Sequence, residues 1–306
     1  MTTQAKFVQM VTTRTAHPTK ERLRPPMILT GPAGTGKTKT ILVSILQILH
    51  KEQKESEQNN QGNNERRGFT PRILVCTPSH TAADVITERL AKLLFKQQKE
   101  RCTNKPEQDQ HKPIRNTLFR LYDSSRPIET VPVQILPYTR QRDDGKWSLP
   151  TAKELLRFSV VVSTCKDSAL LFLAGATNSS LLRRRNCLQL ETEQRLRSSG
   201  LTLTGKINGA DHPYWTHLFI DEAAQATEPE SLIPMSVVVD DNQSATKAEI
   251  ALCGDPRQLG PQIYSGNCEN LQRSLLERLL RLPVDTYGGG REHLMGPPSK
   301  TLLLYL

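Results

Sequence analysis

The feature that most constrains the fold of this chain is a glycine-rich segment, GPAGTGKT, from Gly31 to Thr38. A short apolar run, Met27 to Thr30, precedes it, and apolar residues at helical spacing follow it: Ile41, Leu42, Ile45, Leu46 and Leu49. Glycines let the backbone turn tightly at the start of a helix, so that consecutive N–H groups point at one anion. Because a strand comes before the segment and a helix after it, the pattern favours a phosphate-binding loop over an accidental glycine-rich turn.

The side chains of this loop predict a bound nucleotide and a divalent cation. Lys37 supplies a cation for the β- and γ-phosphates, and Thr38 supplies a hydroxyl ligand for Mg²⁺. The sequence therefore predicts ATP and Mg²⁺ as cofactors. The remaining residues of the loop are expected to surround the phosphates: Gly31, Pro32, Ala33, Gly34, Thr35 and Gly36.

The sequence contains neither a membrane span nor a secretory leader. No apolar span approaches 18 residues, and the N-terminal MTTQAKFVQM lacks the basic and then apolar layout of a signal peptide. The six cysteines form no CxxC pair, and no histidine lies at metal-ligand spacing, so no zinc site is indicated. Free thiols that end apolar runs favour a reducing compartment. These features predict a soluble, intracellular protein.

Short apolar runs rich in β-branched residues alternate with helical patterns along the chain. They lie at 27–30, 72–76, 158–162, 217–220 and 249–253. With 36% apolar residues among 306, the chain can build a sizeable core. The alternation predicts an α/β fold with a mostly parallel sheet covered by helices.

Polar stretches separate these runs. Residues 51–68 contain no aliphatic or aromatic side chain, so they are expected to form a flexible insertion. The same expectation holds in part for 97–113 and 176–210, whereas 114–157 is expected to form a small ordered insertion.

The net charge of +10 is concentrated in three segments that carry +4 each: 1–26, 96–120 and 183–207. Basic segments outside the apolar runs suit a polyanionic partner such as nucleic acid. A solvated surface or flexible loops would explain each segment equally well.

Two further polar elements follow predicted strands. Asp221 and Glu222 come directly after the apolar run that ends at Ile220. A nucleotide hydrolase needs one carboxylate to hold Mg²⁺ and another to orient or deprotonate water, so we assign Asp221 to the metal and Glu222 to the water. After the next strand, the sequence GDPRQLGP predicts a fixed turn that holds Gln258 near the γ-phosphate as a sensor of hydrolysis.

In this order, the three elements resemble motifs I, II and III of superfamily 1 helicases. Residues 76–84, CTPSHTAAD, resemble motif Ia, and 161–165, VVSTC, resemble the next motif on the nucleic-acid side. Three segments, DEAAQATEPESL, GDPRQLGP and SLLERLL, are most similar to the sequences of the Moloney leukaemia virus 10 and Armitage branch of RNA helicases. The chain departs from the family at Ala33, where proline is usual. This change affects loop stiffness more than chemistry, because no side-chain ligand is lost.

The resemblance implies a RecA-like fold, RNA-stimulated ATP hydrolysis, translocation 5′ to 3′ on single-stranded RNA, and a cytoplasmic role in RNA silencing. It places Thr77, Pro78, Ser79 and Thr164 on the RNA path as backbone contacts, and it suggests Gln4 as the adenine-reading glutamine. Such contacts discriminate poorly between RNA and DNA, so a DNA helicase stays open.

The resemblance also predicts that residues 1–282 form the first RecA-like motor domain and that 283–306 lead toward a second one. That second domain would carry the arginine that stabilises the transferring phosphoryl group. We therefore expect the ATP-binding half of a helicase, and a nucleotide-binding interaction module without turnover is the alternative.

Overall fold

The computed structural model describes residues 2–14, 26–59, 71–101, 117–199, 213–239, 248–263, 269–282 and 303–305. Their strands are β1 (Met27–Thr30), β2 (Ile73–Thr77), β3 (Leu118–Arg120), β4 (Val160–Thr164), β5 (His217–Ile220), β6 (Glu249–Gly254) and β7 (Leu303–Tyr305). Their α-helices are α1 (Thr3–Arg14), α2 (Lys37–Asn59), α3 (His80–Arg101), α4 (Ala152–Leu155), α5 (Leu170–Leu173), α6 (Asn178–Ser198), α7 (Glu228–Val238) and α8 (Leu275–Arg281).

All seven strands form one parallel sheet in the order β3-β4-β2-β5-β6-β1-β7. Parallel neighbours need crossover connections, and the helices between them supply these connections and cover the sheet. The predicted α/β, RecA-like fold is therefore confirmed. Because β1, β5 and β6 are neighbours, the segments that follow them meet at one edge of the sheet.

Alternate residues of the strands enter two apolar cores on opposite faces. One core combines Leu29 and Val75 with side chains of α1, α2 and α3, including the fully buried Phe7. The other combines Ile28 and Leu74 with side chains of α4, α6, α7 and α8. Burial on both faces explains why the strand sequences are continuously apolar rather than alternating.

Two of the predicted flexible insertions differ from the structure over most of their described residues. Helix α2 continues through 51–59, and α6 occupies 178–198 of the expected insertion at 176–210. The polar residues there are mainly Lys, Glu, Gln and Arg, which extend an existing helix readily because they lose little rotamer freedom. Helix α3 likewise continues to Arg101, whereas 60–68, 102–113 and 200–210 lie outside the described residues.

The predicted ordered insertion packs around its own small cluster. Tyr122, Val131, Ile135 and Trp147 are buried together, and Trp147 donates its indole N–H to the Arg126 carbonyl at 2.7 Å. A capping box at Thr151 begins α4. Residues 117–157 thus pack around a cluster of their own, and 114–116 lie outside the described residues.

Residues near the two ends of the sequence join the same body. Phe7 and Val11 of α1 are fully buried in the first core. Leu303–Tyr305, expected to belong to a linker, pair in parallel with β1 instead. The pairing gives this apolar run a place at the sheet edge, while 283–302 lie outside the described residues. Among the described helices, none combines the length and apolar character needed to cross a membrane.

Candidate functional site

The glycine-rich loop connects β1 to α2, as the sequence predicts. Gly34 and Gly36 have φ angles of 79° and 92°, in the left-handed region that side chains disfavour. These conformations turn the chain back onto the first turn of α2, where the Thr40 N–H donates to the Gly36 carbonyl at 2.9 Å. The helix N-terminus thus faces the loop and forms a site suited to an anion.

Lys37 is folded inside this loop. Its ammonium group donates to the carbonyls of Gly31 at 2.8 Å and Pro32 at 3.0 Å, and the side chain is 6% exposed. The charge is therefore held where phosphate oxygens would lie, and contacts between such a charge and an anion are the strong ones.

Thr38 and Asp221, which are distant in sequence, meet across the site. The Thr38 hydroxyl donates to Asp221 Oδ2 at 2.8 Å. Asp221 directly follows β5 and is buried. Burial raises its pKa to about 6, with the Thr38 hydrogen bond opposing the rise and Glu222 adding to it. A hydroxyl and a carboxylate at this distance are hard oxygen donors of the kind that Mg²⁺ prefers. The donor set therefore fits the predicted metal.

The burial of Asp221 predicts an unusual dependence of stability on pH. The folded-state pKa of about 6 lies above the ordinary value of 3.8, so the folded chain keeps a proton that the unfolded chain releases. In metal-free buffer, we expect wild type to lose up to about 3 kcal/mol relative to Asp221→Asn as the pH rises through this interval. Denaturant unfolding of both proteins across the interval measures this difference, and Mg²⁺ should restore the wild type. A difference that does not change with pH would contradict the assignment.

Glu222 follows in a strained conformation. Its φ of 53° lies in the left-handed region, where the structure describes no other non-glycine residue. Its N–H donates to Asp221 Oδ1 at 3.0 Å, and its carboxylate accepts from the Gln225 amide at 3.3 Å. Backbone strain of this kind costs about 1–3 kcal/mol and clusters at functional sites. The side chain is half-buried, so water can reach its carboxylate.

The turn after β6 lies beside these two acids. Asp255 is buried and accepts from the Arg257 N–H at 3.0 Å, while the Gln258 N–H donates to the Asp255 carbonyl at 3.1 Å. The turn is therefore fixed, as predicted, and Gln258 is half-buried. Its role as a sensor of hydrolysis stays a prediction.

The backbone that follows β5 is in direct contact with the last two residues of β6. The Ala223 N–H donates to the Cys253 carbonyl at 2.8 Å. A Cβ atom at Gly254 would lie 2.9 Å from the Ala224 backbone nitrogen, which leaves no room for any side chain there.

Gln4 reaches the loop from α1. Its side-chain amide donates to the Thr35 carbonyl at 2.8 Å. A groove of about 490 Å³ between α1 and α2 is lined by Gln4, Lys39 and Val43, among others. The adenine-reading role of Gln4 stays a prediction, and its contact with the loop is a role that sequence reasoning missed.

Gly36 and Gly34 offer a matched pair of substitutions. Alanine at either position incurs about 1–2 kcal/mol of left-handed strain. A Cβ at Gly36 would also lie 2.9 Å from the Gln4 amide nitrogen, whereas nothing lies within 4 Å of one at Gly34. We expect Gly36→Ala to lower the melting temperature of the nucleotide-free protein more than Gly34→Ala does. In a Gln4→Ala background, the gap should close; a gap that persists would show that Gln4 is not its cause.

The predicted RNA residues lie at a neighbouring part of the same sheet edge. Thr77 and Thr164 end β2 and β4 and are paired in register. Both are buried: the Thr77 hydroxyl donates to the Ser79 carbonyl at 2.7 Å, and the Thr164 hydroxyl accepts from the Asp167 N–H at 2.9 Å. Of the four residues, only Ser79 is exposed, and Pro78 is half-buried. Contact with RNA stays a prediction, with the two threonine side chains engaged inside the protein.

A buried charge network that sequence reasoning missed adjoins this edge. Asp84 accepts from Arg120 Nε, from Arg126 Nη2 and from the Tyr122 hydroxyl at 2.9, 2.9 and 2.6 Å. Both guanidinium groups also lie over the Tyr122 ring. The sequence carried no clear signal for this network, because the three-residue strand that ends at Arg120 is too short to be identified from its pattern.

The parallel sheet, the loop with its buried lysine and the acids after β5 define a P-loop nucleotide-binding domain with the RecA-like fold. The model of the AAA domain family matches residues 3–129 and 203–266, and the chain belongs to this family.

Curated relatives confirm the resemblance to RNA helicases of this branch. The chain is 31% identical over 261 residues to RNA helicase Mov10l1 of Mus musculus, covering 85% of this chain and 15% of the relative. It is 27% identical over 260 residues to a Drosophila melanogaster protein named "Probable RNA helicase armi", covering 83% of this chain and 17% of the relative. The chain thus spans less than a fifth of the length of these relatives. Among solved structures, Mss116p bound to single-stranded RNA and AMP-PNP gives a TM-score of 0.37 at 13% identity, covering 81% of this chain and 37% of that one.

Proposed function

We propose that the chain is the ATP-binding motor domain of an ATP-dependent RNA helicase, in which RNA stimulates ATP hydrolysis and hydrolysis drives movement along a single strand. The contact between Thr38 and Asp221 at 2.8 Å carries this proposal, because it joins the phosphate loop to the acids after β5. Nucleotide hydrolases of this class use the same pair of elements on either side of the phosphates.

The residues of the site divide the work of phosphoryl transfer. Lys37 holds the phosphates, and Glu222 orients or deprotonates the attacking water. Bound Mg²⁺ would neutralise charge on the phosphate oxygens, with Thr38 and Asp221 as its protein donors. Gln258 stands on a turn fixed to Asp255, which suits a residue that responds to the presence of the γ-phosphate.

We assign the nucleic-acid partner to the edge formed by the ends of β2 and β4, where Ser79 is exposed. Contacts there would be made to the sugar-phosphate backbone rather than to bases, so binding should be independent of sequence and sensitive to salt. Movement 5′ to 3′, a cytoplasmic location and a role in RNA silencing belong to this proposal as what the resemblance to this branch of helicases implies.

ATP hydrolysis measured with and without a short oligouridine tests the proposal. We expect this chain by itself to bind ATP with at most trace hydrolysis, because the resemblance places the stabilising arginine on a second RecA-like domain, and we expect hydrolysis that rises with RNA when that domain is included. ATP binding without hydrolysis when both domains are present would favour the nucleotide-binding interaction module. Equal stimulation by the matching DNA strand would favour a DNA helicase, because only a contact to the 2′-hydroxyl separates the two.

A further inference from the structure

His80, the first residue of α3, lies between the predicted RNA residues and the buried charge network. Its side chain is 40% exposed. It follows the exposed Ser79, and its Nδ1 is 3.7 Å from Asp167 Oδ2. The Asp167 backbone N–H in turn donates to Thr164. The imidazole therefore lies at the strand edge to which the nucleic acid is assigned.

Arg120 determines which ring nitrogen of His80 carries the proton. Arg120 Nη2 is 3.4 Å from His80 Nδ1. A guanidinium group has donors and no acceptor, so this hydrogen bond requires a lone pair on Nδ1. In the neutral imidazole, the proton is then on Nε2, which becomes a donor.

The network fixes the position of Arg120 itself. Arg120 is fully buried, its Nε donates to Asp84 at 2.9 Å, and its Nη1 donates to the Leu121 carbonyl at 2.7 Å. A guanidinium group held at both Nε and Nη1 cannot turn away, so its Nη2 holds the histidine ring as well.

The surroundings favour the neutral form of this histidine. Burial lowers the pKa of His80, Arg126 and Arg120 lower it further, and Asp167 and Asp84 oppose them. Asp167 Oδ2 is buried without a hydrogen-bond partner, and its separation from Nδ1 exceeds hydrogen-bonding distance.

We propose that His80 is a strand-binding residue, which donates its Nε2–H as a neutral donor to an oxygen of the sugar-phosphate backbone. The proposal rests on the proposed function, since it names a contact of the same nucleic-acid edge. Asp84 and Arg120 act through His80 and are positioning residues.

Affinity for a fluorescent oligouridine, measured by anisotropy with the whole chain, tests the contact. We expect His80→Ala to bind about tenfold more weakly, as befits one hydrogen bond to a charged or polar oxygen. His80→Gln places its amide nitrogen near the position of Nε2 and should retain most of the affinity. His80→Asn places its amide nearer to Nδ1 and should behave like alanine. Lys92→Ala removes an exposed charge from α3 further from the edge and is the control, with affinity expected to be unchanged.

Salt and pH separate this contact from a charged one. Loss of a neutral donor should leave the dependence of log affinity on log salt unchanged, whereas loss of a cation reduces the slope by about one. The ratio of wild-type to His80→Ala affinity should also stay constant from mildly acidic to mildly basic pH. A reduced slope, or a ratio that disappears as the pH rises, would overturn the neutral-donor assignment.

The DNA strand of matching sequence identifies the oxygen. An equal loss on RNA and DNA assigns a phosphate oxygen, and a loss on RNA alone assigns the ribose 2′-hydroxyl. If the wild-type chain binds no RNA, the proposed function fails. If the wild type binds and circular dichroism shows a folded His80→Ala that binds equally well, the inference about His80 fails by itself.

Discussion

Lys37→Ala is expected to remove ATP binding from this protein. The Lys37 ammonium group is buried at the loop and touches two loop carbonyls, so it is already in the position that phosphate oxygens require. We expect the same ammonium group to donate to β- and γ-phosphate oxygens when ATP is bound. Charge-assisted hydrogen bonds contribute about 1.5–3 kcal/mol each, so loss of two such phosphate contacts weakens binding by about 100-fold or more. Titration with a fluorescent ATP analogue measures the effect.

The matched control for this change is Lys51→Ala. Lys51 is an exposed lysine further along the same helix, and its ammonium group contacts only the Thr12 carbonyl among the hydrogen bonds described for it. This variant should bind ATP like wild type, which separates the loop contact from a general loss of positive charge. Wild-type affinity in a folded Lys37→Ala protein would refute the assignment of Lys37.

Glu222→Gln is expected to bind ATP and Mg²⁺ while hydrolysis, measured with the second RecA-like domain present, falls on the order of 100-fold, the usual contribution of a general base. Glutamine has the shape of glutamate and carries the same strain at a φ of 53°, so the change isolates the negative charge. Phosphate release in a single turnover with oligouridine present measures hydrolysis, and the ATP analogue measures binding.

Glu228→Gln is the control for the loss of a carboxylate nearby. Glu228 begins α7 and pairs with Arg278 at the surface, so hydrolysis should change little. Equal losses of binding and hydrolysis in Glu222→Gln would show that Glu222 shapes the site and does not activate water.

Sequence reasoning located the nucleotide site because its residues are tied to strand ends. A parallel sheet brings the carboxyl ends of neighbouring strands together, so Thr38 and Asp221 meet despite their separation in sequence. The resemblance to helicase motifs placed Thr77 and Thr164 on one RNA path, and the structure pairs them at one edge of the sheet. It could not show that their hydroxyls are engaged inside the protein, because a motif specifies position and leaves the local hydrogen bonds open.

The helices were harder to predict where apolar periodicity is absent. Residues 51–59 extend α2 because strong helix formers continue a helix that has already nucleated. They contain no apolar residues, so no periodic pattern predicts a helix there. In α6, Leu181 and Leu182 are buried, and the described side chains beyond them are mostly exposed. Strand β3 has only three residues, which are too few to show the apolar run that predicts a buried strand.

The contact between Arg120 and His80 lay beyond sequence reasoning for a different reason. The two residues are 40 positions apart, and their meeting depends on the packing of α3 against β3. A charged residue at the end of a buried strand needs a partner, but the sequence identifies neither this short strand nor the partner.

The close packing of backbone at Gly254 affects how the two parts of the nucleotide site move together. The backbone after β5 lies directly on the last residues of β6, with no side chain between them, so a displacement of one should displace the other. The two acids that we assign to the metal and the water are therefore coupled to the turn that carries Gln258. If departure of the γ-phosphate displaces Gln258, we expect the turn after β6 and the acids after β5 to move together.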